Sequence, residues 1–230
     1  MGNILQNSKE LIKKAIRYAT SPFILADYYA FKKTHGAGRF EISPKDFYPC
    51  IKDKTINTGF DRHYVYHTSW AARVVKEINP EFHVDISSSL YFCGLVSAFI
   101  PVHFYDYRPA DLRLSGLQTG KADLHNLPFE RDSVKSLSCM HTLEHIGLGR
   151  YGDPIDPEGD LKAIDGLKKV LAKDGSLLIV VPIGRPKIEY NAHRIYSYEQ
   201  IMTYVTGKKA DDGIQHTKDG DMYLHEFSFI

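Results

Sequence analysis

HVDISSS at 83–89, VHFYDY at 102–107, SVKSLSCM at 133–140 and SLLIVVP at 176–182 are the stretches that decide the fold. Each is a short apolar run, separated from the next by turn signals or by a segment with helical spacing. SSLYFCGLVSAF at 88–99 and residues 157–172 read as helices. The second places Leu161, Ile164, Leu167, Val170 and Leu171 on one face, with Gly175 just past its end. KADLHNL at 121–127 contains a further short strand, residues 197–206 form another helix, and LHEFSFI at 224–230 closes as a strand. SLLIVVP is continuous in apolar residues, as expected of a strand covered on both faces. Strands alternating with helices predict an α/β, Rossmann-like, doubly wound and mostly parallel sheet.

Upstream the texture differs. Residues 3–20 carry Ile4, Leu5, Leu11, Ile12, Ala15, Ile16 and Ala19 as an apolar stripe and are predicted to be helical. Residues 32–60 are rich in Gly, Pro, Lys and Asp and read as a long loop or lid. A second helix is expected over 62–78. The division that follows is a helical, lid-like extension over 1–80 and a Rossmann domain over 81–230.

The 230 residues are 43% hydrophobic and 25% charged, enough for a sizeable core without staples. A net charge of +1 provides no global field for nucleic acid or an anionic membrane. The three cysteines, Cys50, Cys93 and Cys139, are odd in number and far apart. They point to a reducing compartment rather than a disulfide framework. No apolar run approaches the roughly 20 residues of a membrane span. MGNILQNSKE lacks the pattern of a signal peptide. The expectation is a cytoplasmic protein with no membrane span and no nucleic-acid partner.

In an open α/β sheet, ligands bind beyond the carboxyl ends of the strands. The first strand ends at Asp85, followed by Ser87, Ser88 and Ser89. The second ends at Asp106, 21 residues on. A carboxylate there is placed to accept hydrogen bonds from both hydroxyls of a ribose. Asp123 follows the third strand beside Leu124 and is positioned to accept from an exocyclic adenine amine. The fourth strand ends at Met140-His141.

The order Asp85, Asp106, ADLHNLPF (122–129), HTLEHI (141–146) and LKKVLAKDGSLLIVVP (167–182) resembles class I S-adenosylmethionine-dependent methyltransferases over about 100 residues. A closer resemblance is to an uncharacterised bacterial and nematode domain family with a methyltransferase-like core. HYVYHTSWAARVV (63–75), HVDISSS, HTLEHIGLGRYGDPIDPEG (141–159), NAHRIYS (191–197) and HEFSFI (225–230) carry it. The resemblance implies S-adenosyl-L-methionine as cofactor. It also implies Asp85, Ser87, Ser89, Asp106, Asp123, Leu124 and His141 as the cofactor-binding set. One departure stands out: the family usually has glycines after its first acid, so that backbone can approach the methionine part of the cofactor. Here the positions are serines, then Tyr91. A non-catalytic binding or scaffold protein with the same fold is therefore the alternative to an enzyme. The fold usually finishes with a sixth strand and a reversed seventh. LHEFSFI can supply the sixth, and the seventh is then missing. Such an open edge would be covered in a homodimer.

His141, Glu144 and His145 form H-x-x-E-H, which matches the inverted zinc-peptidase motif. The string follows an apolar strand directly, in a methyltransferase-like order, so the peptidase reading is set aside. His193, in the segment after the fifth strand, lies on the same rim. Histidine is the natural base to take a proton from a hydroxyl near neutral pH. His145 and His193 lead the catalytic candidates, followed by His141 and Glu144. Arg150, Tyr151 and Arg194 are the expected contacts to a small-molecule or glycan acceptor, methylated on O or N. No spacing fixes a metal site, and none is favoured.

Overall fold

The structure is a computed structural model that describes residues 22–35, 40–51 and 53–206 and the backbone of 225–228. The helix expected over 3–20 lies outside the described residues. The chain divides into two compact units, residues 1–60 and 61–230. In the first, helix α1 (Pro22–His35) extends at residues 32–35 into the segment expected to be loop. Lys32, Lys33 and His35 occupy its last turn, where cations oppose the negative end of the helix dipole. Ser43 then caps a short turn at Pro44–Asp46 by accepting from the Lys45 amide. The Phe47 ring meets that of Tyr28 edge-on, with centroids 5.3 Å apart.

The second unit begins with α2 (Arg62–Ile78), so the boundary falls at 60 and not at 80. The reason is packing. Ala71, Val74 and Val75 on one face of α2 join a core with Phe92, Val96, Val102 and Phe104. Asp61 caps α2 by accepting from the Tyr64 amide at 3.0 Å.

The sheet contains β1 (His83–Ile86), β2 (Val102–Asp106), β3 (Leu117–Lys121), β4 (Val134–Met140), β5 (Leu171–Val180) and β8 (His225–Ser228). Its order is β3-β2-β1-β4-β5-β8. The first five run parallel, and β8 runs antiparallel to β5. Helix α3 (Leu90–Val96) follows β1. Helices α4 (Gly159–Val170) and α5 (Tyr198–Thr206) precede and follow β5 in the chain. Ile164 and Leu167 of α4 and Ile201 and Val205 of α5 cover the sheet face opposite α2, over Val84, Leu137 and Leu177. Among the described residues no helix is long and apolar enough to cross a membrane.

The structure corrects three expectations and adds one hairpin. The third strand is LQTGK at 117–121, not within KADLHNL. It is an edge strand with Leu117 as its only buried residue, so it needs little apolar pattern. Gly175 lies inside β5, not at the end of a helix. A side chain there would press on the Ala172 and Val134 carbonyls, at 2.9 and 3.0 Å. Part of NAHRIYS belongs to a hairpin, β6 (Lys187–Glu189) with β7 (His193–Ile195). Finally, the closing strand has the reversed direction that the family gives to its seventh strand, not that of a parallel sixth.

Candidate functional site

β1 ends in a buried polar network. Asp85 is fully buried; one carboxylate oxygen accepts from the Ser88 amide at 3.0 Å, and the other accepts the Ser138 hydroxyl. Ser138 Oγ lies 2.9 Å from His83 Nε2, and Ser136 Oγ lies 2.8 Å from His83 Nδ1. Because the Ser138 proton goes to Asp85, Ser138 can only accept from His83, which places the ring proton on Nε2. Burial pushes the Asp85 carboxyl up to about 6 and the His83 imidazole down to about 3. Asp85 therefore lies beneath the cleft and is not among its lining residues.

The serine loop hangs from this network. Ser87 adopts φ 59°, the left-handed region in which glycine is at ease. The Ser87 amide donates to the Tyr105 carbonyl at 2.8 Å, and the Thr142 hydroxyl donates to the Ser87 carbonyl at 3.0 Å. The Ser88 hydroxyl oxygen accepts from the Met140 amide at 2.9 Å. The backbone thus takes a glycine-like turn with serine in place, at the cost of some strain. Ser89 caps α3 without a side-chain bond and does not line the cleft.

Above the carboxyl ends of β1 to β4 is a cleft of about 200 Å³. Ser87, Asp106, Asp123, Leu124, His141, His145 and Tyr151 line it, so most of the residues singled out in the sequence converge there. One Asp106 oxygen accepts from the Arg108 amide at 2.7 Å, and one Asp123 oxygen accepts from the His125 amide at 2.9 Å. Both carboxylates are held by the backbone of the turn that follows their strand. Arg108 and Arg150 both sit against the Tyr151 ring, 4.7 and 5.0 Å from its centroid.

At His141 the cleft adjoins a cluster of histidines that reaches back from its lining. The left-handed turn at His141 (φ 57°) directs its ring back toward α2. There it meets His63 and His67, whose ring centroids lie 4.1 and 4.9 Å from that of His141. His63 Nε2 and His141 Nε2 are in direct contact. His67 Nδ1 lies 2.7 Å from the His63 carbonyl, and His141 Nδ1 lies 2.9 Å from Glu144 Oε1. Glu144 is 1% exposed, and its Oε2 has no hydrogen-bond partner. Burial, then the proximity of His141, lowers the pKa of His63, and the same two causes take that of His67 down to about 4.

His145 stands beside this cluster. Its Nδ1 is 2.6 Å from the Ala192 carbonyl, which fixes the proton on Nδ1 and leaves Nε2 unprotonated in the neutral ring. Burial lowers its pKa. His193 is outside the cleft lining, with its ring centroid 6.4 Å from that of His145 and its Nε2 3.4 Å from Glu189. Arg194 is buried and occupied. It donates to the Ile146 carbonyl at 2.6 Å and the Pro157 carbonyl at 3.2 Å, with Asp160 3.6 Å away. Arg150 donates to the Ala192 carbonyl at 3.0 Å. These contacts hold the loop 147–159 in shape. Asp153 completes it, accepting from the amides of Gly147 and Tyr151 at 2.7 and 3.2 Å.

Four of these residues escaped the sequence-based set. Arg108 follows Asp106 by two positions, and Asp153 stands in the middle of the unusual loop. His63 and His67 are four apart on the helix expected over 62–78, and that spacing puts them on one face. Their meeting with His141, 78 positions beyond His63, was not.

Residues 126–216 match the family described as Caenorhabditis protein of unknown function, DUF268. No curated protein matches the sequence. Among solved structures, the PH0226 protein from Pyrococcus horikoshii OT3 aligns with TM-score 0.51 at 12% identity, over 74% of this chain and 91% of that one. A sarcosine dimethylglycine methyltransferase homologue from Galdieria sulphuraria aligns with TM-score 0.46 at 10% identity, over 62% of this chain and 59% of that one. The phosphoethanolamine N-methyltransferase 2 of Haemonchus contortus, solved with S-adenosyl-L-methionine, aligns with TM-score 0.44 at 13% identity. That alignment covers 60% of this chain and 36% of that one. This chain thus spans under two thirds of the length of both methyltransferases. The fold is that of the class I methyltransferases.

Proposed function

We propose that the cleft binds S-adenosyl-L-methionine and that the protein transfers its methyl group to an oxygen or nitrogen of a small molecule or glycan. The observation that carries this reading is the convergence of the strand ends. Ser87, Asp106, Asp123 and His141 follow four adjacent parallel strands and line one cleft. Asp106 supplies the carboxylate for the ribose hydroxyls, and Asp123 with Leu124 flanks the adenine. The glycine-like turn at Ser87 lets backbone approach the methionine part, which the run of serines alone would argue against.

In this reading His145 is the general base. Its proton is held on Nδ1 by the Ala192 carbonyl, so Nε2 carries the lone pair. The lowered pKa keeps the ring neutral and able to accept a proton at neutral pH. Tyr151, lining the cleft, is the acceptor contact that its position favours. Arg150 and Arg194 serve that contact indirectly, by shaping the loop. Methyl transfer asks mainly for alignment of the nucleophile with the sulfonium methyl, and a rigid rim provides it.

The test is calorimetric titration with S-adenosylmethionine and S-adenosylhomocysteine. Saturable binding at micromolar to low millimolar concentration is expected. A His145→Ala variant should keep that binding while losing transfer to any acceptor found. Absence of binding would favour the scaffold reading.

A further inference from the structure

We propose that His63, His67 and His141 form a site for one divalent transition metal of the zinc class, with an open coordination position facing the cleft. The ligand atoms of the three rings lie within 4.8 Å of one another. A tetrahedral ion with bonds of about 2.0–2.1 Å sets its ligands roughly 3.3 Å apart, so small side-chain adjustments complete the geometry.

The protons support the assignment. A carbonyl oxygen only accepts, so His67 must donate Nδ1–H to the His63 carbonyl. Glu144 fixes His141 likewise, with Nδ1–H toward the carboxylate. With Nδ1 engaged, each ring has only Nε2 left as a ligand atom, and His63 Nε2 already touches His141 Nε2. Converging lone pairs repel unless a proton or a cation lies between them. The contacts behind the rings have the form usual for metal-bound histidines: a carboxylate behind one and a backbone carbonyl behind another.

Charge leads to the same place. Glu144 is buried with one oxygen unpartnered. A buried carboxylate requires a compensating positive charge nearby, and a dication on the far side of His141 supplies one. Three imidazoles select zinc, cobalt, nickel or copper over magnesium or calcium, which require oxygen ligands. Three protein ligands also leave a tetrahedral ion one free position. His141 lines the cleft, so that position is open to water or to an oxygen of a bound ligand.

The site needs no cofactor, so it stands or falls separately from the methyltransferase reading. The experiment uses the full chain, stripped with chelator and titrated with Co2+ and then Zn2+ in the absence of S-adenosylmethionine. One equivalent of Co2+ should be taken up with visible d–d absorption, and one equivalent of Zn2+ should displace it. His63→Ala changes a half-exposed residue in the first turn of α2 and should weaken Zn2+ binding at least tenfold with an unchanged circular dichroism spectrum. Glu144→Gln should weaken it roughly 10–100-fold. His145→Ala should leave the stoichiometry at one. No uptake of either metal would overturn the proposal. So would uptake unchanged by His63→Ala, or uptake that His145→Ala abolishes and His63→Ala spares, which would place the ion on H-x-x-E-H.

Discussion

The floor of the cleft and the histidine wall that adjoins it at His141 are both polar clusters set into an apolar core, yet they differ in how their hydrogen bonds close. On the floor, His83, Ser136, Ser138, Asp85 and Ser88 form one continuous chain in which each donor finds an acceptor. On the wall, two imidazole nitrogens, His63 Nε2 and His141 Nε2, meet each other, and Glu144 Oε2 has no partner. A closed network holds structure, because each member stabilises the next. An unclosed one marks the place where something else is expected to bind. The comparison also explains why two acids 21 positions apart have different fates: Asp85 is used up in the floor, and Asp106 presents itself at the rim.

Breaking the floor should have the largest effect on stability. Asp85→Ala strands the Ser88 amide and the Ser138 hydroxyl in a buried cavity. The expected cost is about 3 kcal/mol or more, read as a fall in the urea midpoint at constant m-value. A loss below about 1 kcal/mol would mean that the network is not closed.

Acid should expose the coupling within the floor. The folded pKa of His83 lies below its unfolded value, so its contribution is full above pH 6.5 and is lost as pH falls toward 3. That of Asp85 lies above its unfolded value, so its contribution is full below pH 3.8 and is lost as pH rises through 6. The two oppose each other between pH 4 and 6. The Cys93 and Cys139 thiols that face Asp85 are pushed up and stay protonated throughout this window. His83→Gln removes only the histidine term. Between pH 6 and 4 the wild type should therefore lose about 2–3 kcal/mol relative to this variant. Parallel stability curves would show that His83 titrates normally.

The wall should respond least. Glu144→Gln keeps an acceptor for His141 and removes a poorly compensated charge. In metal-free protein it should change stability by less than about 1 kcal/mol in either direction. A cost approaching that of Asp85→Ala would show Glu144 to be as fully satisfied as the floor.

The same contrast explains what could be read in advance. Residues 83–86, 102–106, 134–140 and 62–78 were legible because buried strands and an amphipathic helix impose their period on the sequence. The β3 edge and the β6–β7 hairpin were not. β3 buries one residue, and β6 is exposed along its length, so neither needs an apolar pattern. Within the site, Asp106, Asp123 and Ser87 were legible because topology alone carries strand ends to one rim. Asp85 ends its strand at the same rim in sequence, but its partner Ser138 on β4 holds the carboxylate inside. The histidine wall depends on where α2 packs, a long-range outcome that the spacing of His63 and His67 does not encode.

The most direct measurement is the affinity of Asp106→Ala for S-adenosylmethionine, beside that of the wild type. The cleft at the strand ends predicts saturable wild-type binding and a loss of about 1.4 kcal/mol or more, at least tenfold, when the ribose carboxylate is removed. Wild-type binding that Asp106→Ala leaves unchanged, or no binding by the wild type at millimolar cofactor, would contradict it.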